Sequence, residues 1–241
     1  MDVQLFIPCF IDQFYPRTAF NVIKVLEMAG CTVHYNPDQT CCGQPVYNSG
    51  YWKEAAKLAG KFLHDFNNTM PIVSPSASCT GFVKFHYPKI LKDNSELLAR
   101  HAGIYPKLYE LSDFLVNVLK VQSWDVEFKH KVTYHDSCSA LREYGIKEEP
   151  RKLLRMLKGL ELIEMNEPDT CCGFGGTFAV KHTAISTALV EKKVQDALQT
   201  GADYIVSTES SCLMNINGYI RKHKLPVKGI HLADALSGTI I

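Results

Sequence analysis

The chain has 241 residues, 46 % of them apolar, which is enough to bury a sizeable core as one large domain or two of about 100–120 residues. A net charge of +1, with 21 % charged residues, gives no electrostatic case for nucleic acid or an anionic membrane. No apolar run approaches the ~18 residues of a membrane span, and Met1–Pro8 lacks the basic start of a signal peptide, so a cytoplasmic location is expected.

In chain order, the apolar run Val3–Pro8 reads as a strand ending at Cys9. A helical pattern follows Pro16, carried by Phe20, Val22, Ile23, Val25 and Leu26, and stops at Gly30. A short strand, Thr32–Tyr35, leads into the loop Cys41-Cys42-Gly43. Tyr47-Asn48-Ser49-Gly50 reads as turn and capping chemistry. A helix over Tyr51–Phe66 and a strand over Pro71–Ser74 run on to Cys79, and Leu111–Leu119 is helical again. Charge and polarity rise over Val121–Lys131, the expected linker.

The same order then repeats. Val132–His135 is a strand before Cys138, Pro150 opens a helical run that stops at Gly159, and Leu160–Met165 is strand-like. Cys171-Cys172-Gly173 follows, then a helix over about Ala184–Leu198 and a strand over Asp203–Ser207 that runs to Cys212. Equivalent cysteines lie 129 (Cys9 to Cys138), 130 (Cys41 to Cys171, Cys42 to Cys172) and 133 (Cys79 to Cys212) residues apart. Near-constant offsets of this kind mark an internal duplication. The expected fold is α/β: two Rossmann-like lobes, residues 1–125 and 126–241, with mostly parallel sheets and a pseudo-twofold relation.

In each lobe the cysteines follow the carboxyl ends of strands, where open α/β sheets bind ligands. Cys9, Cys41, Cys42 and Cys79, and separately Cys138, Cys171, Cys172 and Cys212, are thus the candidate metal- and cofactor-binding residues. In a reducing compartment, patterned thiols point to metal or redox chemistry, and an odd total of nine fits a disulfide framework poorly. Soft thiolates select zinc, copper(I) or iron–sulfur clusters. Structural zinc favours closely spaced Cys-x₂₋₄-Cys pairs, which neither half has, whereas adjacent cysteines suit a multi-iron target. Gly43 and Gly173 free the turn, and Gly175 and Gly176 offer N–H groups to cluster sulfides. Zinc in one or both sites stays open. Cys31 has no repeat partner and reads as a small buried hydrophobe.

These motifs resemble the cysteine-rich domain family whose signature is Cys-xₙ-Cys-Cys-Gly-xₙ-Cys-x-x-Cys, with members in the heterodisulfide reductases and in the iron–sulfur component of glycolate oxidase. The likeness is carried by Thr40–Tyr51, Val73–Thr80, Cys171–Phe178 and Ser211–Ile216, and it runs the length of the chain. It implies an iron–sulfur electron-transfer subunit with one [4Fe–4S]-type cluster per lobe on the eight matched cysteines. It further implies a bacterial 2-hydroxyacid oxidation complex that converts L-lactate to pyruvate, with lactate utilisation proteins B and C as partners. The hydroxyacid would act at the level of that complex, and no catalytic residue is assigned here. The alternatives are a zinc- or thiol-binding structural module and a disulfide reductase of the heterodisulfide type. One departure matters: where the signature has the first cysteine of its last pair, this chain has Ser76 and Glu209. A five-cysteine cluster cannot form unchanged, although four thiolates suffice for an ordinary one. Glu209 reads as a surface carboxylate, with an oxygen ligand as the alternative. His135-Asp136 reads equally as a sulfur contact or as a strand-end cap, His182 as structural, and Lys192-Lys193 as a solvated helix face.

Overall fold

The computed structural model describes residues 1–239; the last two residues of the expected second lobe lie outside this range. In the first half, β1 (Asp2–Leu5), α1 (Cys9–Phe14), α2 (Pro16–Met28) and β2 (Thr32–Tyr35) lead to α3 (Gln44–Asn48), α4 (Trp52–Asp65) and β3 (Ile72–Ser74). Then come α5 (Ala77–Ile90), α6 (Ser95–Ile104), β4 (Leu108–Glu110) and α7 (Leu111–Asp113), the last continuing as a π-helical turn, Phe114–Val118. The second half runs β5 (Lys131–Tyr134), a π-helical turn Ser139–Tyr144, α8 (Glu148–Arg155), β6 (Glu161–Leu162), α9 (Phe178–Lys181) and α10 (Thr183–Gln199). It ends with β7 (Tyr204–Ser207), α11 (Ser210–His223), β8 (Lys228–His231) and α12 (Leu232–Leu236).

Each half forms one parallel four-stranded sheet, in the orders β2-β1-β3-β4 and β6-β5-β7-β8. The orders are identical element for element. The chain direction of the winding reverses between β1 and β3, and between β5 and β7, which places the ligand crevice of an open α/β sheet at those strand ends. The central strands are apolar on both faces, as parallel strands between helices must be: Val3, Leu5, Ile72, Val73, Val132, Ile205 and Val206 are all fully buried.

The helix after Pro16 buries Val22, Val25 and Leu26 with Thr18 and Asn21, while Phe20, expected on its apolar face, is 70 % exposed. Positions 18, 21, 22, 25 and 26 form one stripe at helical period, and residue 20 falls outside it. The 121–131 segment also departs from a polar linker. Trp124 and Phe128 are buried in the main core, and the Trp124 Nε1–H donates to the Leu236 carbonyl at 2.7 Å. Its apolar residues, Trp124, Val126 and Phe128, alternate with exposed charges in the period of an extended chain. The segment is extended accordingly, bridging Lys158 in parallel through Glu127.

The main hydrophobic cluster draws on both halves. Its packing is reciprocal: α2 of the first half meets α12 of the second, and α8, the counterpart of α2, meets α7, the counterpart of α12. Likewise α5 packs on the 139–144 turn and α11 on α1. Such mutual exchange is the signature of a twofold contact. Polar bonds cross it as well. Asn21 Nδ2 and Thr18 Oγ1 donate to Asp234 at 2.8 and 3.2 Å, and His231 Nε2–H faces the carbonyls of Pro75 (3.0 Å) and Thr208 (3.2 Å). His231 Nδ1 accepts from the Ala233 N–H at 3.1 Å, so the ring is the neutral Nε2–H tautomer.

Glu110 occupies the strand-end position that His231 holds in the other half. Its Oε2 accepts from the Ser112 N–H (2.7 Å), the Ser112 hydroxyl (2.5 Å) and the Asp113 N–H (3.2 Å), while Oε1 is buried without a partner. Burial pushes its pKa up to about 8. The folded chain therefore holds a proton there that the unfolded chain releases above its ordinary carboxylate value. That stability is present in full at low pH and drains away as pH rises toward 8. Glu110→Gln keeps the acceptor and removes the titration. Thermal unfolding of both proteins between pH 5 and 8 is expected to show the variant gaining on the wild type by up to about 1.4 kcal/mol per pH unit. Parallel curves would contradict the assignment.

Candidate metal centre

The first set is assembled by three strand ends. Cys9 opens α1 just beyond β1, Cys41 and Cys42 lie in the loop after β2, and Cys79 sits in the first turn of α5 after β3. Cys9 Sγ and Cys41 Sγ are 3.4 Å apart, and Cys41 Sγ also accepts from the Gly43 N–H at 3.4 Å. The Cys42 thiol meets both Cys41 and Cys79, so the four sulfurs form one connected group. Gly43 has φ +90°, a left-handed turn that lets its N–H point back to Cys41 Sγ. The Tyr87 hydroxyl, donating to the Cys42 carbonyl at 2.8 Å, ties this loop to α5.

The second set repeats the plan with different fastenings. Cys138 follows β5, Cys171 and Cys172 follow β6, and Cys212 lies in the first turn of α11. Cys171 Sγ accepts from the Gly173 N–H at 3.3 Å, and the Cys172 thiol meets Cys171 and Cys212. Here Asn215 Nδ2, on α11, donates to the Cys172 carbonyl at 2.8 Å and so replaces the Tyr87 tether. Cys138 and Cys171 are exposed, so this set is the more open of the two. No disulfide forms among the described residues, and Cys31 is buried in the main core away from both sets.

Two groups that read separately in the sequence share one cavity of about 300 Å³, lined by all eight cysteines. Phe10 and Phe174, each beside one set, meet across it with ring centroids 5.6 Å apart. The thiols are not equivalent. Hydrogen bonds from the Cys42 and Cys9 thiols hold Cys41 far down, at about 3, while the same contact and burial push Cys42 up. Cys171 is raised by its neighbour Cys172 and by burial. No lysine or arginine lines the cavity. Further thiolates there need a positive charge from a bound group, and four soft donors per set at strand ends fit a thiophilic metal or an iron–sulfur cluster.

Several expected positions are corrected. Glu209 is not on the surface: it is 3 % exposed and reaches across the lobe boundary. Its Oε1 accepts from the Ser78 N–H at 2.6 Å and the Ser76 hydroxyl at 3.2 Å, and its Oε2 from the Ser78 hydroxyl at 2.9 Å. Burial pushes its pKa up to about 7. Ser76 in turn accepts from the Cys79 N–H at 3.3 Å. The two residues that stand in for cysteine in the family signature are bonded to each other and to the start of α5. Lys193 is fully buried rather than solvated, its Nζ donating to the Glu167 carbonyl at 2.5 Å; Lys192 is exposed and pairs with the Glu167 carboxylate. Asp136 is buried in a two-pronged pair with Arg151 (2.8 and 2.7 Å), which also grips Glu164. Arg151 has no cysteine nearby in sequence, and only its place one residue past Pro150 at a helix start marked it. His182 is exposed, its ring tilted against that of Phe178, and it does not line the cavity. His135 is buried, and burial, with Lys193 close by, holds its pKa down at about 3.

The family model described as a cysteine-rich domain, CCG, matches the chain twice, over residues 3–84 and 132–217. Lactate utilization protein A of Halalkalibacterium halodurans is 44 % identical over 98 % of this chain and 97 % of its own length. The protein of the same name from Anoxybacillus flavithermus is 41 % identical over 98 % and 99 %. The chain belongs to the CCG cysteine-rich domain family, in the branch formed by the lactate utilization A proteins. Among solved structures, a hypothetical protein from Helicobacter pylori superposes with a TM-score of 0.62 at 13 % identity, over 98 % of this chain; the chain spans about half (48 %) of that protein's length. That likeness concerns the fold.

A Cβ on Gly173 (φ +78°) would stand 2.5 Å from the Ser186 carbonyl oxygen, whereas one on Gly43 would find its nearest atom, Leu58 Cβ, at 3.4 Å. Gly43→Ala is expected to cost about 1–3 kcal/mol from backbone strain alone. Gly173→Ala should cost more and displace the second loop, read by urea unfolding and by faster thiol labelling of Cys172. Equal losses would contradict this geometry.

Proposed function

We propose that the protein is an iron–sulfur electron-transfer subunit of a bacterial lactate-utilisation system, with one cluster held by Cys9, Cys41, Cys42 and Cys79 and one by Cys138, Cys171, Cys172 and Cys212. The observation that carries this reading is the convergence of all eight thiols on one cavity that has no cationic side chain. The lactate utilization A relatives support lactate as the substrate class, and the reaction proposed for the complex is oxidation of L-lactate to pyruvate. The halves proposed to carry the two sets are residues 1–125 and 126–241.

When bound, iron–sulfur clusters accept and pass on single electrons. The chain's own residues would do the rest. Thiolates hold the iron, with Cys41 the most readily ionised member of its set. The Gly43 and Gly173 N–H groups, already directed at Cys41 and Cys171 Sγ, would stabilise ligated sulfur and raise the potential. Phe10 and Phe174 would keep bulk water from the space between the sets. Without an arginine or lysine on the wall, the cavity offers no clamp for a hydroxyacid carboxylate, so hydroxyacid oxidation is assigned to partners, the B and C proteins of such a system. No helix among the described residues is long and apolar enough to cross a membrane.

Purification without oxygen, followed by iron, zinc and acid-labile sulfide analysis with a visible spectrum, tests this reading. The expected outcome is about four iron and four sulfide per filled set and a broad brown absorbance. Zinc alone, with no sulfide after anaerobic reconstitution, would replace electron transfer with a structural module.

A further inference from the structure

The duplication is broken at one buried position beside the second set. Phe6 and His135 are counterparts: each is the residue after its strand, and each N–H bonds to the neighbouring central strand, Phe6 to Val73 (2.9 Å) and His135 to Val206 (2.8 Å). Phe6 packs edge-on against Phe62 and Phe66, at 5.0 and 5.5 Å between centroids. His135 is just as buried, at 1 % exposure; the Pro168 carbonyl lies beside the ring, yet neither ring nitrogen has a partner within 3.5 Å. The Pro168 carbonyl beside it already takes the Asp136 N–H at 3.0 Å. At most one ring nitrogen can donate to that carbonyl, and the other nitrogen of a neutral ring carries a lone pair that is costly to bury without a partner. A ring nitrogen and the Sγ atoms of Cys172 and Cys212 all lie within 4.8 Å of one another, close enough for small side-chain adjustments to bring them around a single ion.

We propose that His135 is a nitrogen ligand of the second site, joining Cys172 and Cys212 in a mixed sulfur–nitrogen set that the first site lacks. The inference rests on the reading that these thiols hold a metal centre, but not on electron transfer. Cys171, whose thiol meets that of Cys172, and Cys138 line the same cavity and supply the remaining thiols of the second set. Nitrogen in place of sulfur makes the ligand set less negative, as in clusters where histidine raises the potential. The two sites would be a lower- and a higher-potential pair instead of duplicates.

The test uses the full, reduced chain and Co²⁺ as probe, which reports sulfur against nitrogen ligation and needs no sulfide. Cys41→Ser with Cys42→Ser leaves only the second set; Cys171→Ser with Cys172→Ser leaves only the first. In the chain with the second set alone, His135→Phe should weaken Co²⁺ about tenfold or more and move the d–d bands toward an all-sulfur position. In the chain with the first set alone it should change neither, which also shows that the fold survives. The wild-type residue gives an independent readout: with the second set loaded, a paramagnetically shifted, solvent-exchangeable imidazole N–H should appear in the proton NMR spectrum. Co²⁺ binding to the second set with no such resonance and no effect of His135→Phe would overturn the inference. Failure of the second set to take Co²⁺ at all would overturn it too, whereas the iron and sulfide analysis separately decides the electron-transfer reading.

Discussion

The Glu209 carboxylate, buried between the lobes and bonded to Ser76 and Ser78 at the start of α5, is the contact on which the shared cavity depends. An acid placed at a helix N-terminus in a dry interface gains from both the free N–H groups and the helix dipole. It also anchors the first turn of α5, from which Cys79 faces the cavity, to the residue that leads into α11 and Cys212. Those two turns are the walls between the cysteine sets. Few other contacts fix the position of one set relative to the other so directly.

The parallel topology explains why sulfurs more than 30 residues apart meet at all. A right-handed crossover returns every strand in the same direction, so the strand ends of one half collect on one edge. The reciprocal packing of α2 on α12 and of α8 on α7 then turns the two edges toward each other. Each sheet alone would make a shallow crevice; the pair makes an enclosure.

Much of this is legible in the sequence because the duplication supplies its own alignment. Strands β1, β2, β3, β5 and β7 and helices α2, α4 and α10 fall where apolar period and glycine stops put them, and the cysteine offsets mark the strand ends. β4 and β8 escape such a reading, since Leu108–Glu110 and Lys228–His231 are short and polar at one end. Buried charge escapes it for another reason. Glu209, Lys193 and Arg151 are accommodated by partners elsewhere in the chain, and a local pattern of charged residues looks the same whether water or protein satisfies it. The alternation of Trp124, Val126 and Phe128 does carry a signal, masked by the intervening charges. His135 shows the opposite case: its meaning lies in the difference from Phe6, which the repeat makes visible once the two positions are superposed.

The bonds from Thr18 and Asn21 to Asp234 span sequence separations of 216 and 213 residues. They clasp the start of the chain to its far end, around a core to which both halves contribute. Closing so large a loop carries an entropic cost before those contacts form, and contacts of such long separation slow folding. In a nascent chain those clasps cannot close until α12 has emerged. With a core to which both halves contribute, the two repeats are expected to unfold as a single body.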